Sequence, residues 1–385
     1  MTERAGAEMA DVQRERHATN LELFLDLVFV FAVTQIAAFI AHDQTAAGLG
    51  RGVLLAWLMW WQWSQFTWVG SAIDLQAVAA TRVLVLSIIP VALVATASIP
   101  SAFDTGGPWF GAAYMGVQLL VLAIQGSVAW GQESTRGSYI RYATFAVASP
   151  ILVMVGALLP GDVRVVIWVI AGLLNVVGAL RAAGGSWTID PVHFAERHAL
   201  FIIISLGEVL VAAGATLAGV GLTARNVAGL TVAVAMACVL WWTYFAYLPE
   251  VSERHLRAAQ GEERGRLARD MFTFGHFPVA FGLMLYAVVA KHMVEHPTQR
   301  FDLHDRWVLA LSVVTYIGGL SVIQWRAIHR VAPERWCVLA LGAVVPVLGR
   351  WLPPLVVVTL MTIVLGAMHT VTLRRIKGRQ RRIRS

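Results

Sequence analysis

Residues 16–35 read RHATNLELFLDLVFVFAVTQ, a stretch that puts two carboxylates at the mouth of a long apolar run. Thr19-Asn20-Leu21-Glu22 fits the S/T-x-x-E box that opens a helix, so the spacing predicts a helix from about residue 20. Glu22 and Asp26 are then i and i+4 and share a face, continued by Phe29, Val30 and Val33. Asp26 falls roughly 9 Å along the axis from Asn20, which places it at a hydrocarbon edge or in a wet vestibule. An ionised acid near a bilayer centre costs about 2.5–3.5 kcal/mol, so an acid here implies a buried partner or a water-filled path. For Glu22, helix capping competes with a place on such a path.

A near-copy follows: Arg197-His198-Ala199 echoes Arg16-His17-Ala18, and the run RHALFIIISLGEVLVAAG carries Glu208. Glu208 lies roughly 15 Å past His198, close to the midplane of a ~30 Å hydrocarbon core. Two such helices suggest a duplicated unit.

Composition sets the solvent. With 58% hydrophobic and 14% charged residues and a mean hydropathy of +0.66, the chain is excluded from the soluble class, where about 25% of residues carry charge. It reads as an all-α polytopic membrane protein. Charge-scarce runs recur at 20–40, 52–73, 83–103, 108–130, 142–161, 164–181, 197–217, 226–248, 271–290, 307–325, 336–349 and 351–369, which gives about 12 candidate spans. With the N-terminus in the cytoplasm, 23 of the 30 Lys and Arg fall on that side and 7 on the other, so both termini are expected to be cytoplasmic. Residues 1–19 have neither an apolar h-region nor a small-residue cleavage site, so no signal peptide is expected. Cys238 and Cys337 sit in apolar runs without metal or disulfide spacing, and no cofactor or metal is expected.

Further echoes set the organisation. WWQWSQFTW at 60–68 matches WWTYFAYLP at 241–249, IIPVAL at 88–93 matches HFPVAF at 276–281, and RYATFAVASPILVMVGALLP at 141–160 matches RWCVLALGAVVPVLGRWLP at 335–353. These matches predict a 6+6 parallel internal repeat: a cytoplasmic segment 1–19, a first repeat 20–181, a second repeat 190–370 and a basic cytoplasmic tail 371–385. Within the second repeat, 249–270 reads as an amphipathic cytoplasmic link whose charges make a solvated face. The aromatic clusters from Trp60 to Trp68 and from Trp241 to Tyr247 are expected to serve as interfacial belts or packing, with a stacking site for a ligand as the alternative. The basic run at 374–385 suits anionic lipid better than nucleic acid.

Asp26 and Glu208 are the leading candidates for an ion or substrate pathway, joined by Glu22 and by His276, which precedes Pro278 in the ninth span. Arg16 or Arg82 is the expected ion-pair partner should Asp26 be structural, and Glu196 and Arg197 are expected to form salt bridges at the cytoplasmic end of the seventh span. Asp190-Pro191 reads as the cap and first residue of that helix. His193-Phe-Ala-Glu196-Arg197-His198 fails the inverted zinc motif H-x-x-E-H, because Arg197 stands where the second histidine should be. No Walker loop or nucleophile elbow occurs.

At ELFLDLVFVFAVTQ, the Trp60-Trp61 pair, AERHALFIIISLGE and HFPVAFGL, the chain resembles the bacterial low-temperature requirement A family over essentially its whole length. The resemblance implies a multi-spanning inner-membrane protein named from a cold-growth phenotype. A weaker similarity is to the endolysosomal potassium channels, whose two six-helix repeats each open on an arginine followed by an F-S-D element. Here Phe24-Leu25-Asp26 and Leu206-Gly207-Glu208 stand in those places. The expected function is a proton- or cation-coupled carrier or channel moving an unidentified ion or small solute between paired first and seventh spans. The alternatives are a membrane scaffold or sensor for low-temperature adaptation, which would be a stress-response role, and a lipid-acting membrane enzyme, for which no convergent nucleophile or metal set is visible. A homo-oligomer is compatible with either of the first two.

Overall fold

Helix α1, Asn20–His42, opens on the expected capping box: the Glu22 amide donates to Thr19 Oγ1 and the Thr19 amide returns to the Glu22 carboxylate at 2.9 Å. The structure, a computed structural model, describes residues 16–182 and 187–384, with backbone only at 134, 348 and 376–384. The segment 1–19 therefore lies outside the described residues up to residue 15, as do the side chains of the basic tail beyond Arg375.

Among the described residues every regular element is helical. After α1 come α2 Ala46–Ala72, α3 Ala79–Ala97, α4 Gly107–Trp130, α5 Glu133–Ala146, α6 Ala148–Ala157, α7 Gly161–Arg181, α8 Pro191–Val220 and α9 Ala224–Phe245. Two short helices follow, α10 Leu248–Ala258 and α11 Gly261–Leu267, then a π-helical turn Ala268–Phe274 that runs into α12 Gly275–Glu295. The chain ends with α13 Leu303–Ile328, α14 Pro333–Leu348 and α15 Pro354–Arg384.

Each of the expected spans falls mainly on helix, and among the described residues ten helical segments, some joining two helices end to end, are long and apolar enough to cross a bilayer. The chain is a multi-pass membrane protein. The two remaining expected spans are α2 and α14. α2 is 27 residues long but is diluted by its Gln, Ser and Thr, and α14, at 16 residues, reaches roughly 24 Å against a ~30 Å core. Exposed tryptophans stand near both ends of two helices. Trp109 and Trp130 on α4 lie roughly 31 Å apart along the axis, and Trp307 and Trp325 on α13 roughly 27 Å. Trp241 and Trp242 are exposed as well, whereas Trp60, Trp61 and Trp63 are fully buried and belong to the core.

Prolines shape the interior. The fifth span breaks between α5 and α6 at Val147, because Pro150 cannot bond the Ala146 carbonyl. Pro278 likewise frees the carbonyls behind it, and the chain answers with the π turn. The Trp60 indole donates to Thr273 O at 2.8 Å and His276 Nδ1–H to Met271 O at 2.8 Å, so the loosened carbonyls are satisfied.

α12 is the central post, packed by α1, α2, α8, α9 and α13. α1 meets α2 and α3 as α8 meets α9 and α12, and the pair α3·α4 has its counterpart in α12·α13. The link 249–270 folds into α10, α11 and the start of the π turn. It carries the i,i+4 pairs Glu250–Arg254 at 2.6 Å and Glu253–Arg257 at 2.7 Å on its outer face, and Arg326 of α13 clamps it through Glu263 at 2.9 Å and Asp270 at 3.0 Å.

Candidate functional site

The seam between α1 and α8 collects the acids. Three contacts join these helices at a nearly constant offset: Glu22 to His193, Asp26 to Arg197 and Thr34 to Glu208. Partners that advance together along both chains require parallel helices. The end at which both begin is called the near face below.

At the near face the i,i+4 acids of α1 dock on i,i+4 bases of α8. Arg197 grips Asp26 with both terminal nitrogens, at 2.5 and 2.7 Å, and the Trp63 indole donates to the same carboxylate at 2.9 Å. The Trp63 ring also lies 5.8 Å from the guanidinium carbon. The Arg197 side chain is wholly buried and that of Asp26 is 3% exposed, so each ion is neutralised in place. A bidentate arginine–carboxylate fork suits such a dry site, where a lone charge would be prohibitive. Asp190 caps α8 through the amides of Val192 and His193, which fixes the turn that aims His193 at α1. His193 Nε2–H donates to the Glu22 carboxylate at 2.9 Å, so Glu22 both caps α1 and holds α8. Arg197 Nε stays 3.9 Å from Glu22 and has no hydrogen-bond partner.

One of the sequence expectations is corrected here. Neither Arg16 nor Arg82 is the partner of Asp26. Arg16 reaches Asp190 at 3.5 Å and the Gly70 and Ser71 carbonyls, while Arg82 is exposed on the first turn of α3. Asp26 does not line the cavity that Glu208 lines. Buried Phe29, Val33 and Phe201 fill the seam between them, which is roughly 12–16 Å long on the two helices. Glu196 holds the incoming chain, accepting from His17 Nδ1 at 3.1 Å and from the Ala18 amide at 2.9 Å. His276 is buried: Tyr244 OH donates to its Nε2 at 2.8 Å, and its ring stands 5.2 Å from that of His198. His198 Nδ1–H bonds the Phe194 carbonyl at 2.8 Å and its Nε2 is unpartnered.

Glu208 sits differently. The Thr34 hydroxyl donates to it, and it lines a vestibule of about 210 Å³ between α1, α8 and α12. Alanines 37, 38, 41, 212, 215 and 287 form the walls, with Lys291 of α12 beside them. At the near face Glu22 and His193 line a second vestibule of about 150 Å³, with Arg16 and Asp74 at its rim. The plug of Asp26, Arg197, Trp63 and the phenylalanine layer separates the two.

Sequence reasoning missed His193, having weighed it only as a metal ligand. The signal was present: an i,i+4 acid pair and an i,i+4 base pair complement one another only on parallel helices. Among the described residues no three His, Cys, Asp or Glu side chains are placed to hold a metal.

No solved structure matches the chain. An uncharacterized protein of Rhizobium meliloti (strain 1021) is 28% identical over 290 residues, covering 72% of this chain and 70% of that protein. The seam just described lies within the region, residues 17–370, that matches the family described as bacterial low temperature requirement A protein (LtrA), and the chain belongs to that family.

Proposed function

We propose that this LtrA-family protein is a membrane transport protein, a proton- or cation-coupled carrier or channel, whose pathway is the α1–α8 seam. The observation that carries the reading is the pair of acid-lined vestibules at opposite ends of one seam, closed from each other by a buried ion pair. Glu208 is the coupling acid, set in a span where an inert carboxylate would be costly. The Asp26–Arg197 fork is the gate, and Glu22, 3.9 Å from Arg197 Nε, is the second acceptor to which the guanidinium turns when Asp26 releases it. His276, across the rings of His198 and Trp60, braces the gate from α12.

The parallel α1–α8 pair and the matching helix contacts of the two halves support the 6+6 repeat, with repeats at 20–181 and 190–370. Arg335 at the start of α14 bonds Tyr247 at the end of α9, and neighbouring Glu334 pairs with Arg375 at 2.7 Å, which supports a tail leaving on the near face. The Lys and Arg bias assigns that face to the cytoplasm, and with it a bacterial inner-membrane location. α15 is roughly 46 Å long, and its basic run starts about where a ~30 Å core ends, in reach of anionic lipid.

The sealed fork also suits a fixed clamp in a non-conducting scaffold for low-temperature adaptation, and one experiment separates the two readings. Purified protein and Glu208→Gln are reconstituted in liposomes loaded with a pH-sensitive dye, and proton or potassium gradients are imposed. Flux in the parent that falls about tenfold or more in the variant supports transport. Absence of flux against every gradient, or equal flux in both, leaves the scaffold.

A further inference from the structure

The far-face vestibule carries two opposite charges that do not satisfy each other. Glu208 is hydrogen-bonded by Thr34, and no ion pair joins it to Lys291. Their spacing follows from a shared level lower in the bundle, where the His198 and His276 rings meet at 5.2 Å. Glu208 is ten residues beyond His198 and Lys291 fifteen beyond His276, so on these parallel helices the lysine stands about 7–8 Å further toward the far face. A bare cation on Glu208 would meet the lysine's repulsion, and a bare anion on Lys291 would meet that of the carboxylate. A dipolar molecule satisfies both.

We propose that the vestibule binds a small zwitterion, an α-amino acid with little or no side chain, with its ammonium on Glu208 and its carboxylate on Lys291. This rests on the transport reading above and names the class of solute. Two charge-assisted hydrogen bonds of about 2.8 Å, plus about 3 Å between the ligand's own ammonium and carboxylate, give a reach of roughly 8–9 Å for a ligand held by both groups on the wall of one cavity. The Thr34 and Thr216 hydroxyls stand in the same walls to serve the remaining polar hydrogens. Walls of alanine with Val211 and Val288, and a volume of about 210 Å³, leave room for glycine or alanine.

The test uses the full-length protein in detergent and equilibrium dialysis with radiolabelled glycine, competed by alanine, acetate and methylamine. Glycine is expected to bind, alanine to displace it, and the two single-charge analogues to compete about tenfold or more weakly. Lys291→Met and Glu208→Gln are each expected to weaken glycine about tenfold or more, and Lys291→Arg to restore most of the loss. Should Lys291→Met fail to fold, the analogue series on the parent protein decides alone. Absence of glycine binding, acetate or methylamine competing as well as alanine, or a Lys291→Met that binds as the parent does, overturns the zwitterion. Dye-reported flux with no amino acid present separates the two claims: Glu208-dependent flux without glycine binding sinks only the solute class, and glycine binding without flux in any gradient sinks only transport.

Discussion

Asn in place of Asp26 removes the bidentate partner of a wholly buried guanidinium and leaves it only Glu22, 3.9 Å from its Nε, as counter-charge. Breaking a buried pair from one side costs about 3–5 kcal/mol, because the survivor keeps its desolvation penalty. With an unfolding entropy of about 2.1 cal/mol/K per residue, the 385-residue chain loses about 4–6 °C of melting midpoint for that cost. Replacing both ions with apolar residues of similar volume, Asp26→Leu with Arg197→Met, removes the stranded charge, so the double variant is expected to recover more than half of the loss. The assay is thermal unfolding of detergent-purified parent, both single variants and the double, read by tryptophan fluorescence, since Trp63 touches the fork. Dye-loaded liposomes read the same set for leak, and the gate reading expects Asp26→Asn to conduct faster than the parent. An Asp26→Asn midpoint within about 1 °C of the parent, or a double variant less stable than either single, refutes the argument that this pair is a dry, mutually dependent lock.

Gly70→Ala is expected to destabilise by about 1–3 kcal/mol and to disturb the His193 ring in NMR, because an added Cβ meets the Glu22 carboxylate and His193 of the near-face vestibule. Trp60→Phe strips the donor from Thr273 O, so a cost of about 1–3 kcal/mol and faster hydrogen exchange in the π turn are expected; unchanged exchange there would mean that the turn does not depend on the indole. Deleting residues 374–385 removes seven basic side chains, and binding to phosphatidylserine vesicles at low salt is expected to fall by orders of magnitude, at about 1 kcal/mol per residue near the surface, while vesicles of neutral lipid report no difference.

Position along a helix was legible in the sequence and rotation about it was not. Counting residues from a cap gives height along an axis, so Asp26 falls in the second turn of α1 and Glu208 in the middle of α8. Which way a side chain points around that axis depends on helices far away in the chain. Trp60, Trp61 and Trp63 have the composition of an interfacial belt, but α2 is hemmed in by α1, α4, α7, α8 and α12, and they become core. The same limit misdirected the partner of Asp26: Arg16 is near in sequence and at the right end, yet the face of α1 that carries Asp26 looks at α8. The break at Val147 and the π turn before Pro278 were half visible, since the prolines could be seen but not the side chains that make a break affordable.

The paired helices α1 and α8 are unequal in what they leave free. The acids of α1 meet the bases of α8 one for one, Glu22 with His193 and Asp26 with Arg197, so nothing ionic at that level is left for a solute. α8 then carries its own acid eleven residues further, where α1 offers only the hydroxyl of Thr34 and where Lys291 of α12 is the nearest cation on the vestibule wall. If the two helices had kept the same set of charges, both levels would be locks or both would be open. The roles are divided between the levels: a neutralised pair closes the seam, and an acid without an ionic partner sits in a cavity beside it. This division also locates the decisive side chain: exchanging Glu208 alters chemistry while leaving the fork intact, whereas exchanging Asp26 alters architecture first, and a flux assay paired with a melting curve tells the two apart.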